Sequence, residues 1–284
     1  MKRCRLFALL LALALALALS GCGAAQSETE EAIQAQTSEG SAGCLFENDA
    51  CSYTLVKTNE NALGDYVWDV DLVNKTAQTL VFSMDSVYLN DCKLDPYWAV
   101  EVAAGQTLRS AVSWARSMID ACEMTKLVRV DFTLTVYPPD QYGENLAEER
   151  ITVYPQGESE YFEEARPAHA DDVTLLESLD YVVLATGLDT QDASVCTLSL
   201  YLLNKSGQDV LFRLDNVRFN GQYVDSDWMS SLAAGKRSFE HLTWQRAALE
   251  AKEITEITEL SFDVLVCSAD GSQVLRQEHA SLTP

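Results

Sequence analysis

The sequence predicts an all-β protein built from two tandem β-sandwiches, and three observations predict it. The chain repeats itself at an offset of 130 residues, apolar and polar residues alternate with period 2 inside each copy, and turn residues recur at short intervals. The repeat runs without a gap: Leu72, Asn74, Lys75, Phe82, Asn90, Trp98, Gly105, Trp114 and Phe132 meet their equals at Leu202, Asn204, Lys205, Phe212, Asn220, Trp228, Gly235, Trp244 and Phe262. The two copies span residues 44–156 and 175–284, each long enough to bury a core of its own. Residues 157–174 between them are acidic, contain Pro167 and read as a linker.

The elements follow from the alternation. Val128, Val130, Phe132, Leu134 and Val136 are separated by Arg129, Asp131, Thr133 and Thr135, a strand with one buried and one wet face, and Leu260, Phe262, Val264 and Val266 repeat it. Trp68, Val70 and Leu72, matched by Leu198, Leu200 and Leu202, form a second strand that runs into the turn residues at Asn74 and Asn204. Asn220-Gly221 signals a hairpin, because both residues tolerate positive φ. Only residues 245–252, with an Ala-Ala-Leu-Glu-Ala centre, favour a short helix.

The start of the chain predicts export. Lys2, Arg3 and Arg5 precede an uninterrupted apolar run over residues 6–19, the two regions of a secretory signal peptide ending at residue 21. The run is shorter than the roughly 20 apolar residues that span a bilayer. Leu19-Ser20-Gly21-Cys22 follows directly and resembles the lipobox of bacterial lipoproteins. The resemblance implies lipid on the Cys22 thiol, cleavage before it, and a protein anchored to the cell membrane on its extracytoplasmic face. Two or three acyl chains, at about 0.8 kcal/mol per buried CH₂, anchor stably where one is marginal. Residues 22–43, rich in Gln, Ser, Glu and Ala without apolar periodicity, read as a disordered tether reaching about 70 Å when straight.

Charge narrows the partners. The chain of 284 residues carries 43 acidic and 20 basic side chains, a formal charge of −23, so nucleic acid and anionic headgroups repel it. Its 48% apolar and 22% charged content describe a folded protein.

Of eight cysteines, Cys4 leaves with the signal and Cys22 takes the lipid, leaving Cys44, Cys51, Cys92, Cys122, Cys196 and Cys267. An even number in an exported chain points to disulfides. Cys92 and Cys122 correspond to Gln222 and Lys252, and Cys196 and Cys267 to Tyr66 and Tyr137, so each pair is jointly absent from the other copy. That favours Cys92 with Cys122 and Cys196 with Cys267, and leaves Cys44 and Cys51 to close a small loop at the tether. Against the second pair, alternation turns Cys196 inward with Leu198 and Cys267 away from the face of Val266.

Catalytic signals are weak. His169, His241 and His279 have no twin in the other copy, and the chain holds neither a Gly-x-Ser-x-Gly elbow nor a Gly-rich phosphate loop. There is no Cys-x-x-Cys for zinc, and the loop acids Asp189, Asp192, Asp225 and Asp227 lack calcium-loop spacing, so no metal or cofactor is expected. Trp98, Trp114, Trp228 and Trp244 recur between copies and are expected in the core. Aromatics without a twin are the binding candidates: Tyr97, Tyr142, Tyr161 and Phe162.

The run Leu202-Leu203-Asn204-Lys205-Ser206, then Phe212, Asp215, Val217, Asn220-Gly221, Ala234-Gly235-Lys236 and Trp244, is similar to an immunoglobulin-like domain of uncharacterised secreted proteins and lipoproteins of Gram-positive bacteria. In the first copy Asp91 replaces the turn Gly and Gln106 the Lys, which leaves its hairpin type open. The resemblance implies tandem immunoglobulin-like sandwiches and supplies no catalytic residue. The expected function is a non-enzymatic surface protein that binds a protein or glycan. The alternatives are a spacer subunit of an envelope sensor or transport system, and a hydrolase with an unrecognised site.

Overall fold

A computed structural model describes residues 42–141, 143–157 and 165–284. The signal peptide, Cys22, almost all of the tether, and the binding candidates Tyr142, Tyr161 and Phe162 lie outside the described residues. The fold is all-β. The first copy comprises β1 (Gly43–Glu47), β2 (Cys51–Glu60), β3 (Tyr66–Asn74), β4 (Leu80–Leu89), β5 (Cys92–Lys93), β6 (Ala99–Val102), β7 (Thr107–Trp114), the helix α1 (Arg116–Ala121), β8 (Val130–Tyr137) and β9 (Ala147–Val153). The second repeats it as β10 (Val173–Glu177), β11 (Tyr181–Asp189), β12 (Val195–Asn204), β13 (Val210–Phe219), β14 (Gln222–Tyr223), β15 (Met229–Leu232), β16 (Arg237–Gln245), α2 (Arg246–Glu250), β17 (Leu260–Ser268) and β18 (Val274–Leu282). Element for element, the offset read from the sequence carries one copy onto the other. Two expected boundaries move slightly: Gly43 already belongs to β1, and Val173 and Thr174 to β10.

Each copy stacks a sheet ordered β1-β2-β3-β7, or β10-β11-β12-β16, on one ordered β5-β4-β8-β9, or β14-β13-β17-β18. The alternating residues fill the space between. Trp68, Val70 and Leu72 from β3 and Phe82, Phe132 and Leu134 from the facing sheet are all but fully buried in one cluster. Leu198, Leu200, Leu202, Phe212, Phe262 and Val264 form its counterpart. Trp114 and Trp244 are buried, while Trp98 and Trp228 pack against the cores from their margins.

Two local devices recur. Asn74 and Asn204, which end β3 and β12, are turned into the protein as clasps. The Asn204 amide donates to the carbonyls of Gln208, Leu232 and Ala233, and its Oδ1 accepts from the backbone and hydroxyl of Ser206. Asn74 holds Gln78, Val102, Ala103 and Thr76 in the same way. The second device is the hairpin turn. Asn220 and Gly221 have φ of 50° and 80°, the two positive values of a type I′ turn. Asn90 and Asp91 have φ of 46° and 65°, so the first copy makes the same turn although Asp carries a Cβ there. A non-Gly residue in this region costs about 1–2 kcal/mol, and the use made of Asp91 appears below.

The helix α2 was expected, and its twin α1 was not. Arg116–Ala121 interrupts its helix formers with Ser117, Ile119 and Asp120, and its place is set by packing: Ile119 is buried where Leu249 is buried in the other copy.

The copies are not beads on a linker. Strand β16 at the edge of the second copy pairs in parallel with β5 of the first, through Arg237 and Cys92, so one sheet continues from β10 through β16 and β5 to β9. Tyr88 of the first copy belongs to the core of the second, and Phe239 of the second packs on the core of the first.

Candidate functional site

The joint between the copies collects most of the unusual chemistry among the described residues, and it is where the copies differ. Asp91, in its strained turn position, accepts the Arg237 backbone N–H at 2.8 Å through its carbonyl and binds Lys236 Nζ at 2.5 Å through its carboxylate. Lys236 Nζ also lies 2.6 Å from Asp131 and 5.1 Å above the centre of the Tyr88 ring. Arg129 joins the same two carboxylates from the other side, at 3.5 Å from Asp91 and 3.0 Å from Asp131. The Tyr88 hydroxyl accepts the Ala233 N–H, and Lys93 reaches the Ser231 carbonyl at 3.1 Å. The twins of Asp91, Asp131 and Lys236 are Gly221, Ser261 and Gln106, none of them charged. The chemistry of this joint is therefore written once in the chain.

The linker closes one side. Arg166 has only 6% of its side chain exposed; its guanidinium lies over the rings of Tyr201 and Phe239, at 5.1 and 5.8 Å, and grips Asp172 with both terminal nitrogens. Glu123, directly after α1, reaches Arg166 at 3.4 Å and His169 at 3.1 Å, tying the linker to the first copy. Between linker and joint lies a cavity of about 490 Å³, lined by Asn90 and Asp91 of the first copy, Arg166 and His169 of the linker, and Thr174, Leu184, Tyr201 and Arg237 of the second. Arg129, Arg166, Lys236 and Arg237 face Asp91, Asp131, Asp172 and Glu123 here, so in a chain of strong net negative charge this region is locally balanced.

The Arg166 hydrogen bonds hold the Asp172 carboxyl below its ordinary range, against the opposing effect of burial and with help from the His169 N–H. A carboxylate whose folded pKa is depressed stabilises the fold above its unfolded value near 3.9, and that contribution is lost as pH falls through the folded value. Acid below about pH 4 is therefore expected to release the linker. Hydrogen exchange at the His169 amide, which donates to Asp172 at 3.1 Å, should lose its protection there, and Asp172→Asn should remove the pH dependence.

The residues singled out from the sequence fare differently. Cys92 and Cys122 are both buried in the same cluster of the first copy, and the neighbouring Cys122 together with burial pushes the Cys92 thiol up. Cys196 and Cys267 are not brought together. Cys196 faces inward at the start of β12, opposite Trp244. Cys267 lies at the end of β17 on the other sheet, opposite Leu211 and beside the Val210 end where Asn204 is clasped. The eight residues from Cys196 to Asn204 span about 26 Å of strand, far beyond the 7 Å Cα limit of a disulfide. Cys44 and Cys51 are also apart: Cys44 is exposed on β1 opposite Thr54, three residues, or about 10 Å, along β2 from the buried Cys51. All six described cysteines carry free thiols in the structure. Tyr97 stands 88% exposed with φ of 51°, away from the cavity lining.

Sequence reasoning missed Lys236, Asp91 and Arg166 as site residues. The departures Asp91 for Gly and Gln106 for Lys were the available signal, since they mark the positions where the shared fold no longer dictates the residue.

The chain matches no family model and no curated protein. Among solved structures it is similar to a protein of unknown function from Porphyromonas gingivalis W83, at 11% identity over 88% of this chain and 99% of that one, with a TM-score of 0.23. It is also similar to the SafA pilin in complex with the SafB chaperone from Salmonella enterica, at 11% identity over 84% of this chain and 98% of that one, with a TM-score of 0.24. Similarity at this level assigns neither a family nor an activity.

Proposed function

We propose that this is a non-enzymatic, lipid-anchored protein of the extracytoplasmic face, in which two immunoglobulin-like sandwiches joined edge to edge hold a protein or glycan at the cavity between them. The observation that carries the reading is that cavity. Both copies and the linker line it, its walls combine Arg and His with Tyr and Leu, and five of its lining residues, Asp91, Thr174, Leu184, Tyr201 and Arg237, differ from their twins in the other copy. Anchoring rests on the Leu19-Ser20-Gly21-Cys22 motif. The continuous sheet favours one other reading, a stiff spacer in an envelope assembly.

Two substitutions test the proposal. Cys22→Ser should move the protein from the membrane to the soluble fraction, and retention in the membrane would contradict the anchoring. Thr174→Trp, at an exposed wall of the cavity, should fill it without touching the core. Capture of a protein or glycan by envelope pull-down and glycan array should then fall at least tenfold. Capture equal to that of the unaltered protein would contradict the cavity and favour the spacer.

A further inference from the structure

We infer that Cys92 and Cys122 form a disulfide before the second copy docks, and that the docked copy then shields the bond from reductants. Cys92 sits on β5, opposite Leu89 in the hairpin whose turn holds Asp91, and Cys122 caps the C-terminal end of α1. The two side chains are 0% and 3% exposed. Their twins Gln222 and Lys252, at the same places in the same fold, are exposed. At Cys92 the difference is the joint: β16 lies against β5 with Arg237 paired to Cys92, whereas among the described residues β14 of the second copy pairs with β13 alone.

The placement gives the bond a task. Asp91, next to Cys92, holds Lys236, and Glu123, next to Cys122, holds Arg166 and His169. A Cys92–Cys122 bond would fasten together the two segments of the first copy that grip the second copy and the linker. Among the described residues the corresponding segments of the second copy show no ion pair to the first copy or the linker, and they carry Gln222 and Lys252 in place of the cysteines.

Formation requires an oxidant, the disulfide of an extracytoplasmic thiol–disulfide oxidoreductase. The thiolate of one cysteine opens the exchange, written here for Cys122. Its thiolate attacks the oxidoreductase disulfide to give a mixed disulfide and release one oxidoreductase thiolate. The Cys92 thiolate then displaces the other, closing the Cys92–Cys122 bond. Two electrons pass to the oxidoreductase, which ends as a dithiol carrying the two protons. With β16 in place neither sulfur is accessible to a bulky partner, so oxidation belongs to the interval when the first copy has emerged and the second has not yet docked.

The location depends on the export proposed above, while the geometry does not, and the experiment separates them. Full-length protein purified from the envelope is mapped without reduction. Protein reduced, unfolded and refolded with oxidised glutathione is mapped beside it. A Cys92–Cys122 peptide in both is expected. Its presence only in the refolded sample would overturn oxidation in the cell and with it the export reading, and its absence from both would overturn the pairing. Native protein is then exposed to dithiothreitol and the released thiols are alkylated over time. Lys236→Ala, which loosens the joint, should release them about 30-fold faster if reduction follows joint opening. In unaltered protein, urea below the unfolding transition should accelerate release in the same way, which keeps the test open if the variant fails to fold. Release that is equally fast with the joint closed or loosened would overturn the shielding.

Discussion

Replacing Asn204 with Ala is expected to destabilise the second copy by about 3 kcal/mol, because each buried polar group left without a partner costs about 1–3 kcal/mol. Asn204 is fully buried, its amide serves three carbonyls, and its oxygen takes two donors from Ser206. Alanine would leave the Leu232 carbonyl, buried between β12 and β15, with nothing in the place of the amide. Asn74→Ala should cost a similar amount in the first copy, where the same clasp recurs. Asn204→Asp keeps the shape and removes the donors, so it should be at least as damaging. Urea unfolding measures all three. A loss below about 1 kcal/mol for Asn204→Ala would mean that water takes over the clasp and that the side chain is dispensable.

Lys236→Ala should weaken the joint by about 2 kcal/mol and leave each sandwich intact. Breaking a buried ion pair costs about 3–5 kcal/mol, and an exposed pair is worth at most about 1. Lys236, Asp91 and Asp131 are 12%, 19% and 14% exposed, and Arg129 remains as a second cation for both carboxylates, which places the expectation between those limits. The cation–π contact with Tyr88 is lost as well. In calorimetry the unaltered protein should unfold in one transition and the variant in two, because the copies then melt independently. A variant with one transition at the original temperature would show that β5–β16 pairing and the shared packing of Tyr88 and Phe239 suffice without the charges.

The fold was legible because a repeat doubles every signal. Val130, Phe132, Leu134 and Val136 announce β8, and their twins announce β17, so the same strand could be read twice. What stayed hidden depends on contacts between segments far apart in the chain. Helix α1 has weak propensity and is fixed by burial of Ile119. Asn74 and Asn204 read as turn residues, since nothing local says that their side chains point inward. The pairing of Cys196 with Cys267 failed for a related reason: joint absence from the other copy reports common history, while a disulfide requires proximity, and these two occupy opposite ends of different sheets. The joint was invisible as a contact but visible as divergence. Asp91 accepts a strained φ that Gly221 meets without cost, and Lys236 stands where the other copy has Gln106. Both make sense only once β16 is placed beside β5.

The central claim is that the two copies move as one body, and backbone ¹⁵N relaxation on the soluble Cys22→Ser protein tests it most directly. Amides of β4 and β8 in the first copy and of β13 and β17 in the second should fit a single rotational diffusion tensor, with the slow tumbling of the whole molecule. Two separate tensors, each with the faster tumbling of a half-sized body, would contradict the continuous sheet and the joint built on it.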